Sequence, residues 1–150
     1  TSSLMFGVQW DLVLAFMHNK GNIEDSTLTS NSKTIGNYSD NLWTIKNAKA
    51  QYSSNSGSTF NACPNPFKKE SYSNILLTTG ADSSFSVQNI YDIAGNVSEW
   101  TLEKTSYTSY PCAYRAGAFN NPGSNPPADY RSLSSTDDSN YDVGFRVSLF

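Results

Sequence analysis

The sequence predicts a mixed α+β domain with one main helix, short antiparallel strands and long irregular loops. Three observations carry this. Residues 6–19 repeat apolar side chains at helical spacing, and Asn19-Lys20-Gly21 ends the repeat. Residues 113–119 and 143–149 alternate in strand fashion, with Val143, Phe145, Val147 and Leu149 on one side. Between and around them the chain is rich in Ser, Asn, Thr and Gly, the composition of turns and loops.

Along the chain, the helix over 6–19 carries Asp11 in its first turn and Val8, Leu12, Ala15 and Phe16 as its repeating apolar positions. His18, the single histidine, falls near the C-terminal end, where a cation suits the helix dipole. Residues 20–75 hold few apolar clusters: Ile35, then Leu42 to Ile45, then Phe60 and Phe67. They read as long loops with short strands. Asn37-Tyr38-Ser39 has the form of a glycosylation sequon. Ile75-Leu76-Leu77 reads as a strand and Gly80 to Ser84 as a turn. An apolar and aromatic run from Val87 to Ile93 follows. A Pro- and Gly-rich loop runs from Asn120 to Ala128, and no helix signal appears after residue 20. With 150 residues the chain fits a single domain, 1–150.

Composition excludes several function classes. Charged residues make up 15% of the chain and aromatics 13%, a balance opposite to that of disordered segments. The net charge is −3 and Lys68-Lys69 is the only adjacent basic pair, so binding of nucleic acid by phosphate neutralisation is not expected. Leu12 to Met17 is the longest apolar run, far short of the roughly 20 residues of a membrane span. Thr1-Ser2-Ser3 shows no secretion signal. One histidine and two cysteines, Cys63 and Cys112, cannot supply a Cys/His zinc site of ordinary spacing. The two thiols are expected to be structural, either free or joined. Asp137, Asp138 and Asp142 with Asn140 gather oxygen ligands that calcium could use, although the spacing is not that of an EF-hand.

The richest signal is Asn89-Ile90-Tyr91-Asp92-Ile93-Ala94-Gly95-Asn96-Val97-Ser98-Glu99-Trp100. It closely resembles the signature of the formylglycine-generating enzyme, or sulfatase-modifying-factor, family. Gly7-Val8-Gln9-Trp10-Asp11, Tyr114-Arg115-Ala116-Gly117-Ala118-Phe119, Tyr130-Arg131 and Gly144-Phe145-Arg146-Val147 resemble further family elements in the same order. The resemblance spans residues 7 to 147 and implies a C-type-lectin-like fold. It also implies a domain shortened on its N-terminal side, because the Gln-Trp-Asp helix normally sits mid-domain; an upstream part of the domain would then be a partner.

Residue chemistry gives the motif structural roles of its own. Gly95 marks unusual φ or close packing, Asn96 can bond neighbouring backbone, and Trp100 offers a large surface. Trp10, Tyr91, Trp100, Phe119 and Phe145 are expected in the core. Buried Glu99 or Asp92 needs a cation, and Arg115, Arg131 and Arg146 are the candidates. The Asn96-Val97-Ser98 sequon is expected to be buried, and Gly144 belongs to the closing motif.

The departures from the family decide the functional expectation. The family's oxygen-activating enzymes place a cysteine pair in the segment corresponding to Asn120–Tyr130, and none is present. The resemblance therefore implies a non-catalytic ligand-binding module, lectin-like or receptor-binding, without a cofactor. The alternative is a metal-dependent oxidase of the sulfatase-modifying type. Binding residues are expected at Asn120, Asn121, Ser124, Asn125, Tyr130, Asp137, Asp138, Asn140 and Tyr141, a Tyr/Asn/Ser mixture suited to adaptable recognition. The implied partner is a cell-surface glycan or protein, and the implied setting a bacterial surface, extracellular space or phage particle.

Overall fold

The computed structural model describes residues 1–149. A first strand, β1 (Ser2–Leu4), leads into α1 (Gly7–Gly21) and a short α2 (Asp25–Thr29). Small strands follow: β2 (Trp43–Ile45), β3 (Gln51–Ser53), β4 (Asn61–Ala62), β5 (Phe67–Lys69), β6 (Leu76–Leu77), β7 (Ser86–Val87) and β8 (Ile90–Tyr91). The C-terminal part supplies β9 (Ser98–Lys104), β10 (Cys112–Arg115), β11 (Arg131–Ser134), β12 (Val143–Phe145) and β13 (Val147–Leu149). The fold is α+β, with one main helix and small, mostly antiparallel sheets. The largest sheet has the order β11-β10-β9-β12, and its β12–β9 pair is parallel. β1 closes against β13.

The helix exists where the sequence places it, but it buries the other face. Trp10, Leu14 and Met17 point into the core, while Val8, Leu12 and Phe16 are 66%, 64% and 44% exposed. The helix is apolar on both sides, so spacing alone could not choose between them. Trp10 decides it: the side chain is fully buried and its indole Nε1 donates to Ala128 O at 3.0 Å. Left-handed Asn22 terminates α1. The α2 turn carries no sequence periodicity and lies where no helix is expected, whereas the 3-10 turn at Ser83–Phe85 overlaps the turn expected from Gly80 to Ser84.

Alternation in the large sheet fixes two faces. Glu99, Thr101, Ala113 and Arg115 point inward beneath α1, whereas Trp100, Leu102, Cys112 and Tyr114 point outward. Phe145 pairs with Trp100 and lies on the outward face, 69% exposed, contrary to the core position expected for it. The 143–149 segment divides between two sheets. Its inward positions are the half-buried Gly144, Arg146 and Ser148, not the apolar residues that alternate with them. Phe119 is buried as expected, whereas Tyr91 and Trp100 are only half-buried.

A hydrogen-bonded pair of asparagines, Asn37 and Asn96, braces the apolar cluster of Trp43, Ile45, Leu77 and Phe85. Asn96 Oδ1 accepts from Leu77 N and its Nδ2 donates to Leu77 O, both at 3.0 Å, so one side chain substitutes for a strand partner. Asn37 Nδ2 donates to Asn96 Oδ1 at 3.1 Å and to Ile75 O at 2.8 Å, and Asn37 Oδ1 accepts from Trp43 Nε1 at 3.1 Å. Gly95, at φ +67°, allows this approach: a Cβ there would lie 2.5 Å from Asn37 O.

Candidate functional site

The outward face of the β11-β10-β9-β12 sheet and the 120–142 segment beside it form the candidate site. The strands fix its floor by parity: Ser98 and Trp100 on β9, Tyr114 on β10, Ser132 on β11 and Val143 on β12. Trp100 and Tyr114 meet edge to face at 5.4 Å between ring centres, which stiffens the aromatic floor. A polar recess of about 300 Å³ opens beside it, walled by Asn121, Asn125, Pro126, Tyr130 and Asp142. A second, more apolar recess of about 330 Å³ lies between Leu4, Trp100, Leu102, Cys112 and Asp138.

The expected binding residues separate into groups. Asn121, Asn125 and Tyr130 line the polar recess. Asn120 and Tyr141 brace its wall: Asn120 Nδ2 donates to Asp142 Oδ2 at 2.9 Å and to the Tyr141 hydroxyl at 3.4 Å. Asp138 belongs to the apolar recess. Ser124, Asp137 and Asn140 are exposed but line neither recess. Asn121 is held in place because its Oδ1 accepts from Ala118 N at 2.8 Å. Sequence reasoning missed Ser98, Tyr114, Ser132 and Val143 as floor residues. The signal was available in the alternation of their strands, but only the sheet order shows that those alternations share a face.

The acidic residues of the last loop do not converge. Asp138 accepts from the Ser134 hydroxyl, Asp137 from the Ser135 hydroxyl at 2.6 Å, and Asp142 from Asn120. The Ser135 hydroxyl holds the Asp137 carboxyl below its ordinary range. Among the described residues no group of three or more His, Cys, Asp or Glu is placed to hold a metal. Cys63 and Cys112 are free thiols: Cys63 is buried beside Trp43 and Phe85, and Cys112 lies on the outward sheet face.

Beneath the floor, the motif arginines and carboxylates hold the scaffold. Arg146 makes a fork to Glu99, with Nε to Oε2 and Nη2 to Oε1 both at 2.8 Å, and Nη2 also reaches Tyr91 O and Asp92 O. Burial nevertheless pushes the Glu99 carboxyl up, against the lowering pull of Arg146. Burial also raises Asp92, opposed by the Gly80 N–H and by Arg146. Arg115, fully buried, pairs with Asp11 of α1 at 2.5 Å and with Glu103 at 3.4 Å; Arg131 bridges the same two carboxylates. The pairing expected of Glu99 is made by Arg146, while Arg115 and Arg131 fasten the helix to the sheet.

No protein-family model matches the sequence, and no curated protein matches it. Among solved structures, Treponema denticola variable protein 1 superposes with a TM-score of 0.50 at 21% identity, over 97% of this chain and 46% of that chain. The chain thus spans about half the length of that neighbour, and the likeness is one of fold. No helix of the described residues is long and apolar enough to cross a membrane.

Proposed function

We propose that this chain is a non-catalytic ligand-binding module of formylglycine-generating-enzyme-like descent with a C-type-lectin-like fold. We further propose that it binds a surface macromolecule through the outward sheet face. The observation that carries the reading is the meeting of Asn121, Asn125 and Tyr130 with Tyr114, Ser98 and Ser132 in one open recess, Tyr114 being backed edge to face by Trp100. Loop side chains on a rigid scaffold are the arrangement that recognition modules use. Half-exposed Tyr130 in the polar recess, and exposed Phe145 and Leu102 elsewhere on the same sheet face, supply aromatic and apolar anchors beside a polar rim. That mixture favours a protein ligand over a glycan at this face. The neighbour's name, a variable protein, is in keeping with a surface whose loop residues set specificity.

The oxidase alternative requires two thiolates on one metal. Cys63 in the Trp43 cluster and Cys112 on the outward sheet face give it no support. The family resemblance also places α1 mid-domain. On that reading, the exposed Val8–Leu12–Phe16 stripe is the surface an upstream part of the domain would cover.

The test uses fluorescently labelled protein on intact bacterial and animal cells, before and after protease treatment. Protease-sensitive binding that the double substitution N125A/Y130A lowers at least tenfold, with an unchanged melting temperature, is the expected result. Binding indifferent to the double substitution would reject the site. Stoichiometric Cu(I) binding with aldehyde formation on a cysteine-containing sulfatase peptide would reject the non-catalytic reading.

A further inference from the structure

The largest cavity of the described pockets is elsewhere, in the segment between α2 and β6. It has a volume of about 610 Å³ and is lined by Lys33, Asp40, Asn41, Leu42, Glu70 and Tyr72, among others. A shallower trough of about 470 Å³ shares Leu42 and Glu70 with it and continues past Thr44 and Lys68 along the β2–β5 pair. The two make one groove, open to solvent, that shares no lining residue with either recess of the outward sheet face.

We propose that this groove is a second binding site, and that its ligand is a neutral oligosaccharide. Tyr72 is 76% exposed and Leu42 57% exposed. An aromatic ring left in water beside an aliphatic side chain offers an apolar platform for the C–H face of a sugar ring. The polar lining suits hydroxyls. Asn41 Nδ2 is spent on Gly36 O at 2.8 Å, and Asp40 Oδ1 on Gly123 N at 2.8 Å. These bonds fix both side chains and leave Asn41 Oδ1 and Asp40 Oδ2 as oriented acceptors. Glu70 forms no ion pair among the described residues and adds a carboxylate across the groove. Ser73 N donates to Ser39 O at 3.3 Å and ties the two walls together, while the bond from Asn41 N to Tyr38 O at 3.2 Å closes a turn within one of them.

Charge selects the ligand class. Lys33 and Lys68 balance Asp40 and Glu70 around the groove. The fifth charged residue, Lys69, turns its ammonium away to Tyr38 O at 2.5 Å. A polyanion would meet two carboxylates as well as two ammonium groups, so charge neutralisation gains little for it here. A neutral polyol can use both signs, since each hydroxyl donates and accepts.

The experiment titrates the intact chain with neutral cello-, chito- and manno-oligosaccharides by calorimetry, alongside heparin as the anionic arm. Saturable binding of at least one neutral series is expected, changing less than twofold between 0.05 and 0.5 M salt. Y72A and E70Q should each weaken it at least tenfold without lowering the melting temperature, and Y72F should retain it. N125A/Y130A on the sheet face should leave it unchanged, which separates this site from the first. No binding in any neutral series, heparin binding alone, or wild-type affinity in Y72A would overturn the proposal.

Discussion

Replacing Arg146 by alanine tests the frame beneath the sheet. The guanidinium makes both bonds of the Glu99 fork and two more to the carbonyls of Tyr91 and Asp92. Glu99 is only 6% exposed, so the substitution leaves a carboxylate in a dry site without its cation. Removing one member of a buried pair costs about 3–5 kcal/mol. In a chain of this size that is a loss of roughly 6–20 °C in melting temperature. The same substitution removes the main influence that lowers the Glu99 pKa, so this carboxyl, already raised by burial, rises further. A raised folded-state pKa means that the folded protein holds the proton better than the unfolded chain does. The deficit of R146A should therefore shrink as pH falls from 7 towards 5 and be largest at neutral pH. E99Q/R146M, which removes both charges, should recover most of the loss. Urea denaturation of the wild type, R146A and E99Q/R146M at pH 7 and pH 5 measures all of this. A loss under about 1 kcal/mol in R146A, or no recovery in the double variant, would refute the structural role assigned to the pair.

Three other outcomes follow from burial and charge. Leu14→Ala should cost about 2–5 kcal/mol, since Leu14 packs in the core, whereas Leu12→Ala should change stability by less than about 0.5 kcal/mol; chemical denaturation distinguishes them. Desolvation lowers the Lys69 ammonium to about 8 from 10.5, so the folded state loses its proton first. Stability should then rise with pH through the window from about 8 to 10.5, by about 3 kcal/mol at most, and K69M should lack that rise; melting curves across the window read it. Cys112 should react with a thiol reagent in the native state well before Cys63, which is buried with its thiol pushed up; a time course resolved by peptide mapping reports both.

Short motifs with strict local chemistry were legible in the sequence. The Gly95-Asn96 turn, the Glu99–arginine pair, the helix and the buried Trp10 follow from residue types whose needs are specific: a left-handed backbone, a counter-ion, a large apolar surface. Orientation was less legible. Val8, Leu12 and Phe16 satisfy helical spacing as well as Trp10, Leu14 and Met17 do. The Val143–Leu149 alternation points outward because Arg146 has to reach Glu99 and takes the other parity with it. The binding surface was half visible. Asn121, Asn125 and Tyr130 announce themselves by composition, whereas Tyr114 and Ser132 join them only through a strand order that no local pattern encodes.

The paired asparagines have a practical consequence for producing this protein. Asn37 and Asn96 head the two Asn-x-Ser sequons of the chain, and both are buried, 0% and 3% exposed, against one another. A host that attaches oligosaccharide to the nascent chain would modify amides that must later lie in contact inside the protein. A single glycan on either one would keep the segments that carry Trp43, Ile75 and Leu77 from closing around the pair. Expression through such a secretory route should yield aggregated, glycosylated material. Ser39→Ala with Ser98→Ala, which removes both acceptor signals while keeping both asparagines, should restore a soluble product there. A host without that machinery needs no such change.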